Sequence, residues 1–430
     1  MLTVPFIRDH RELVIERLKI KNFEPSELID RIIEKDNERR SLQVRTNELQ
    51  AELKQLSKEI GDLFKQGETE KGNQARERTA AIKEELESFE RKFQDASLQV
   101  NEWLIQVPNL PHSSVPHGKS DADNRLIREG RTLPVLLKEA EPYWELGVRY
   151  GLIDFDLGVK ITGGGFPLLR GEGARLQRAL ISYFIDSNRK AGYEEFLPPL
   201  LVNEDSGFGT GQLPDKEGQM YHVTEDNLYL IPTAEVPVTN IYRDVILPEG
   251  RLPVKNTAYT PCFRREAGSY GKDVRGLNRV HQFDKVEIVQ ITLPEHSYAA
   301  LEEMVAHVEQ LVVSLGLPYR IVQLCGGDLS FTSALTYDFE VYAAAQKKWL
   351  EVSSVSNFES YQANRLKLRF RSKGEKKPQL AHTLNGSALA LPRIFAAILE
   401  NNQTPEGITI PSVLQPYMGG QSMITLRPGS

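Results

Sequence analysis

The 430-residue sequence predicts an α+β fold: an N-terminal antiparallel two-helix coiled-coil arm, then a mainly antiparallel sheet flanked by helices. Three observations carry this. The first hundred residues hold little Pro or Gly and repeat apolar residues at alternating spacings of four and three. A stretch with two glycines divides that repeat into matched halves. Beyond about residue 131, strand-like runs follow one another without the regular crossover helices that a parallel sheet requires.

Composition narrows the function classes. With 40% hydrophobic residues the chain can bury a sizeable core. No apolar run approaches the roughly 20 residues of a membrane span. The start, MLTVPFIRDHRELVIERL, lacks the basic and apolar regions of a signal peptide. Two cysteines, Cys262 and Cys325, are too few for a disulfide framework or a four-ligand zinc site. The expectation is therefore a cytoplasmic protein with no zinc. A net charge of −6 gives no global basic footprint, so a nucleic-acid partner must be held by local patches.

The arm comes first. Leu28, Ile32, Lys35, Arg39, Leu42, Thr46, Leu49, Leu53, Leu56, Ile60 and Leu63 form one seam. Ala75, Thr79, Ile82, Leu86, Phe89, Phe93, Ala96, Val100 and Trp103 form the other. Between them lies FKQGETEKGN, with Gly67 and Gly72 as breakers. So short a connection forces the helices antiparallel, each roughly 50 Å long at ~1.5 Å per residue. Lys35, Arg39 and Thr46 should loosen the seam near its base. Arg31, Arg39, Arg40, Arg45, Lys54, Lys58, Arg76 and Arg78 are candidates for meeting phosphates.

Domain boundaries follow: residues 1–103 form a helical domain with the arm at about 28–103, residues 104–130 a linker, and 131–430 the globular part. The linker is rich in Pro, Ser, Asp and Gly, and its His112 and His117 read as solvated. Next, GARLQRALISYFIDSNRKAG has one apolar face and ends at Gly192, a helix-stop signal. FLPPLLV follows, its prolines confining it to an edge or an interface. Further helices are expected near 295–315 and 388–402. The glycines of ITGGGFPLLRGEG match no phosphate-binding or dinucleotide pattern and read as turns.

The stretch CFRREAGSYGKDVRGLNRVHQFDKVEIV is the chemical centre. If strand alternation continues, Arg264 and Glu266 share a face, as do Phe283 and Glu287 with Lys285 between them. The intervening loop, about a dozen residues long, carries Lys272, Arg275 and Arg279 with three glycines. A cation, one or two carboxylates and an aromatic face suit a nucleotide: arginine neutralises phosphate, phenyl stacks on base, carboxylate accepts from an amine. An ordinary cross-strand ion-pair ladder accounts for the same residues equally well.

The pattern F-R-x-E, loop, R-x-x-x-F resembles motif 2 of the class II aminoacyl-tRNA synthetases. HTLNGSALALPRIFAAILENNQ, carrying Arg393, is similar to their motif 3. GARLQRALISYF with FLPPLLV is similar to motif 1, the dimer-forming helix and strand. The helical arm, IPTAEVPVTN and EVSSVSNFESYQANRLKLRF narrow the resemblance to the seryl-tRNA synthetase family, over nearly the whole chain. Motif 3 departs from many members by Ala388 and Pro392 where glycines are common.

The resemblance implies a class II catalytic domain over 131–430 and ATP-dependent ligation of L-serine to tRNA(Ser) through seryl-adenylate. Serylation of selenocysteine tRNA is also within the family's range. It implies that Arg264 and Arg393 are catalytic and that Thr233, Ala234, Glu235, Arg264, Glu287, Asn385 and Ser387 bind serine. Arg264, Arg265, Glu266, Arg279, Val280, Phe283, Glu351, Val352, Ser353, Ser354 and Arg393 would bind ATP. Glu351 and Ser354 would hold its magnesium. Residues three apart lie on opposite faces of a flat strand, so a bulge or a strand end is expected there. One carboxylate of Glu235 and Glu287 pairs with the serine ammonium and the other with its hydroxyl, with the choice open. The arm would lie along the tRNA, in a homodimer where it serves the other subunit. Only about 27 residues follow Gln403, which fits the absence of an anticodon-binding domain. The alternative is a class II adenylate-forming paralogue that loads a carrier other than tRNA; a non-catalytic homologue is disfavoured by the presence of Arg264, Glu266, Glu351 and Arg393.

Overall fold

The computed structural model describes residues 1–136, 138–267 and 276–426. The chain divides into two compact units, Met1–Pro108 and Asn109–Ser430.

The first unit is helical: α1 (Val4–Asp9), α2 (Arg11–Ile20), α3 (Ser26–Lys65) and α4 (Thr69–Leu104). Helices α3 and α4 have 40 and 36 residues, so they reach ~60 and ~54 Å, longer than the sequence estimate. Their antiparallel turn needs a left-handed residue, and Gly67 supplies it at φ 77°. Gly72 is not a breaker: it lies inside α4, and a Cβ there would come within 2.9 Å of the Phe64 ring. The distal seam is apolar, with Leu49, Leu56 and Ile82 buried and Leu53, Leu86 and Phe89 packed on them.

Near the base the seam shifts by one residue from the expected register. Ile29, Ile32 and Asp36 are buried, whereas Lys35 and Arg39 flank them, half-buried. Asp36 is tolerated there because Arg39 donates to it at 2.6 Å and Arg8 at 3.4 Å. Thr46, also buried, returns its hydroxyl to the Leu42 carbonyl at 2.9 Å. The base is thus polar but satisfied, and not loose.

The second unit is built on one eight-stranded sheet. Its strands are β1 (Arg125–Gly130), β2 (Glu194–Phe196), β3 (Val254–Phe263), β4 (Gln282–Thr292), β5 (Tyr319–Gln323), β6 (Leu335–Ala343), β7 (Lys348–Glu359) and β8 (His382–Ala390). They run in the order β1-β5-β6-β7-β8-β4-β3-β2. Every pair is antiparallel except β2 with β3. Three helices matter most to the core: α5 (Glu172–Lys190), α6 (Ser297–Ser314) and α7 (Leu391–Asn401). Residues Ile394–Leu399 of α7 are all buried, the mark of a helix enclosed on every side.

Much of the segment read from composition as a linker is folded into this unit. The Asn109 side chain donates to the Thr332 and Phe358 carbonyls, and the His112 amide donates to Ala334. The His112 ring also packs at a tilt against Tyr298, with centroids 4.4 Å apart. Residues 125–130 then pair with β5 as the edge strand of the main sheet. Prolines and small polar residues look alike in a flexible linker and in an ordered strap; only the partners tell them apart. Among the described residues, no helix is long and apolar enough to cross a membrane.

Candidate active site

The site lies along β4, β7 and β8, the end of β3 and the first turn of α7. Strand β3 ends at Phe263, so Arg264, Arg265 and Glu266 lie beyond it and strand alternation does not govern them. A different device fixes Arg264. Its amide donates to the His281 carbonyl at 2.9 Å, and the His281 ring nitrogen Nδ1 lies 3.0 Å from the Arg264 carbonyl oxygen. The guanidinium then sits over the Phe283 ring, 5.2 Å from its centroid. Glu266 takes a left-handed backbone, φ 49°, which turns its carboxylate to Arg279 at 3.2 Å. Arg265 is exposed, its amide donating to the Gln219 carbonyl. Of the loop cations, Lys272 and Arg275 lie outside the described residues, as do Gly268 and Gly271.

A cavity of about 360 Å³ opens beside this cluster, lined in part by Phe166, Leu277, Val280, Phe283, Pro392 and Phe395. It shares Val280 and Phe283 with the predicted nucleotide set. Arg264, Glu266 and Glu287 do not line it. It is space next to Phe283, and the buried polar cluster is elsewhere.

That cluster has two buried carboxylates. Glu287 is the more heavily partnered. Lys285, on the same face of β4, approaches it at 2.8 Å; Asn385 donates at 3.0 Å and the Ser387 hydroxyl lies at 3.4 Å. The last contact follows from register, because Glu287 and Ser387 are direct cross-strand partners. Among the described residues, no cation is in hydrogen-bond contact with Glu235. Gln362 donates to its Oε1 at 2.6 Å, and Thr383 holds Gln362 in turn at 2.7 Å. Burial pushes the Glu235 carboxyl up to about 7, and the negative charge of Glu287 adds to the effect. Thr233 is buried beside it, its hydroxyl accepting the Glu235 amide at 3.2 Å, and Ala234 packs under the pair with Val238, Ala258 and Val289.

The EVSS stretch carries a bulge. Ser353 pairs with Phe339 and Glu351 with Glu340, so Val352 is one residue too many for β6 opposite. The bulge brings Ser354 Oγ to 3.4 Å from Glu351 Oε1, two side-chain oxygens on one side of the strand. Val352 and Ser353 between them are buried, and the Ser353 hydroxyl donates to the Ser387 carbonyl at 2.6 Å. Arg393, in the first turn of α7 after Pro392, donates to the Glu351 carbonyl at 2.6 Å and to the Asn278 carbonyl at 3.3 Å. It therefore ties motif 3 to both the strand and the loop.

Among the described residues, no three His, Cys, Asp or Glu side chains are grouped to hold a metal. An all-oxygen pair such as Glu351 and Ser354 nevertheless suits magnesium, which commonly takes one or two protein ligands and completes its shell with phosphates and waters.

Three residues of the site carried no assignment from sequence. Lys285 was visible, since it lies two residues before Glu287 on one strand. Gln362 had no local signal. Asp338 faces Ser354 across β6 and β7, which only the register discloses.

Two family models match: the seryl-tRNA synthetase N-terminal domain over residues 1–111, and the tRNA synthetase class II core domain (G, H, P, S and T) over 221–402. A serine–tRNA ligase of Salinibacter ruber is 47% identical over 420 residues, covering 97% of this chain and 98% of the relative. The seryl-tRNA synthetase of Pyrococcus horikoshii, solved with ATP, superposes with a TM-score of 0.92 at 33% identity over 99% of this chain and 100% of that one. The cytoplasmic serine–tRNA ligase of Naegleria fowleri, solved with AMP, gives 0.87 at 28% identity, over 100% of this chain and 99% of that one.

Proposed function

The chain belongs to the seryl-tRNA synthetase family, an enzyme of the ligase class, and on that premise we propose that it joins L-serine to tRNA(Ser) through a seryl-adenylate. A serine carboxylate oxygen attacks the α-phosphorus of ATP and pyrophosphate leaves. The ribose hydroxyl of the tRNA's 3′-terminal adenosine then takes the seryl group and AMP leaves. No enzyme side chain becomes covalently attached, so the protein contributes positioning and charge.

The observation that carries this reading is the Arg264 guanidinium lying over the Phe283 ring, with the buried carboxylates Glu235 and Glu287 in the same unit. Arg264 bridges the serine carboxylate and the α-phosphate, a bidentate task that lysine cannot perform. Phe283 stacks on adenine with Val280 nearby, and Glu266 accepts from its exocyclic amine. Arg265, Arg279 and Arg393 serve the outer phosphates. Glu351 and Ser354 hold magnesium, which when bound neutralises charge on the phosphates; Val352 and Ser353 supply the bulge that aligns them.

For serine, the partner set separates the two carboxylates. Glu287, already neutralised by Lys285, is an unfavourable seat for a second cation and takes the hydroxyl together with Ser387. Glu235, with no cation in contact, takes the ammonium beside Thr233 and Ala234, and Asn385 holds Glu287 in place. Alanine offers no hydroxyl to Glu287 and Ser387, and a site built to hydrogen-bond a substrate hydroxyl can discriminate by ~10⁴-fold.

The arm is the tRNA-binding element. Arg31 and Arg76 stack on Trp103 and Phe64, and Arg39, Arg45 and Arg78 are ion-paired within the unit. Arg40, Lys54 and Lys58 have no such partners and are exposed, free to meet phosphates. Selenocysteine tRNA is a second acceptor for trial. A homodimer is supported by exposed apolar residues around the motif 1 segment: Val148, Val159, Ile161 and Leu197. The cytoplasm suits the two free cysteines.

The test is ATP–pyrophosphate exchange across a panel of amino acids, with and without tRNA. Serine alone should support exchange, without tRNA, and Arg264→Ala should abolish it. Exchange with another amino acid, or near-normal exchange in that variant, refutes the reading.

A further inference from the structure

Asp338 stands on β6 directly opposite Ser354. Cross-strand partners share a face of the sheet, and the bulge at Val352 brings Glu351 to the same side. The Asp338 carboxylate is 8% exposed, and its Oδ1 has no hydrogen-bond partner. The Ser354 side chain is its cross-strand neighbour, and among the described residues the charged groups that act on it, Glu351, Asp328 and Glu340, are all acidic. A buried carboxylate with no cation and an unsatisfied oxygen does nothing for the fold that a neutral side chain would not do better. Its use has to lie in what it faces.

A serine hydroxyl has one hydrogen and two lone pairs. Ser354 Oγ lies 3.4 Å from Glu351 Oε1, so its hydrogen can point there. A hydrogen in that place blocks a cation from sharing Ser354 and Glu351. Asp338 offers the other acceptor, on the far side of the hydroxyl. We propose that Asp338 is a positioning residue of the magnesium–nucleotide site: it draws the Ser354 hydrogen away from Glu351 and so turns a Ser354 lone pair toward the ion. Its unpartnered Oδ1 accepts from a water that arrives with the ion. Orienting partners of this kind commonly set metal affinity.

The inference rests on Glu351 and Ser354 being the metal ligands, and the test separates the two ideas. Manganese binding to the full-length protein is titrated by electron paramagnetic resonance in the presence of ATP without serine. Wild type should bind, and Glu351→Gln should not; if wild type binds no more manganese than ATP alone does, the ligand assignment fails. If that control holds, Asp338→Asn should weaken manganese roughly tenfold or more, with ATP affinity measured without metal unchanged. Asp338→Asn should add nothing in a Ser354→Ala background. Unchanged manganese affinity in Asp338→Asn overturns the inference, as does an additive effect in the double variant. Asp338→Ser repeats the test should the asparagine variant misfold.

Discussion

Glu235 is expected to make serine use dependent on pH near neutrality. Its carboxyl is pushed from an ordinary 4.5 up to about 7, first by burial and second by Glu287, with Lys285, Arg264 and the Gln362 amide pulling the other way. If the ionised form receives the ammonium, about one molecule in eleven is competent at pH 6 and ten in eleven at pH 8, so the serine KM should fall roughly tenfold over that range. The same shift predicts a stability effect. The native state holds a proton that the unfolded chain releases above about pH 4.5. The stabilisation is therefore fully present below 4.5 and lost as pH rises through 7, and a shift of that size corresponds to about 3 kcal/mol. Glu235→Gln should remove this dependence, leaving a ligand-free protein more stable than wild type at pH 8 by up to that amount and no different at pH 4.5. The assays are serine KM in pyrophosphate exchange from pH 6 to 8, with the ATP KM as internal control, and urea unfolding at both extremes. A serine KM that is flat across this range in wild type would refute the reasoning.

Two further outcomes are expected. Glu287→Gln should weaken serine use in pyrophosphate exchange while sparing ATP binding, and it leaves Lys285 buried without its counter-charge, a loss of about 3–5 kcal/mol in thermal unfolding; unchanged serine kinetics would count against the hydroxyl assignment. Deleting residues 31–100 should spare pyrophosphate exchange and cripple tRNA charging, whereas a milder change, Leu49→Ala, should cost the arm about 2–5 kcal/mol by circular dichroism; equal loss of both activities on deletion would mean that the arm supports the fold.

Residue periodicity alone determined the arm. A 3.5-residue repeat on two matched stretches with a glycine turn has few other ways to bury its seam, and the two helices form as the repeat predicts, though longer, with Gly72 inside α4 and the seam shifted near its base. The antiparallel sheet and helices α5, α6 and α7 were legible for the same reason: apolar period and stop signals are local properties of the chain. The motif residues were visible as types in an order. What the sequence left undecided depended on partners far along the chain. The one-residue shift that buries Asp36 leaves its carboxylate between Arg39 of its own helix and Arg8 of another. Arg264 is placed by a latch to His281 and Glu266 by a left-handed turn, not by strand alternation. Glu351 and Ser354 share a side because β6 opposes β7 with one residue fewer. Register sets Ser387 against Glu287 and Asp338 against Ser354, and register belongs to pairs of strands. Periodicity records which side of an element a residue prefers. Which residue from a distant strand meets it there is decided only when the strands pair, and in this protein the charges of the candidate site were assigned at that step.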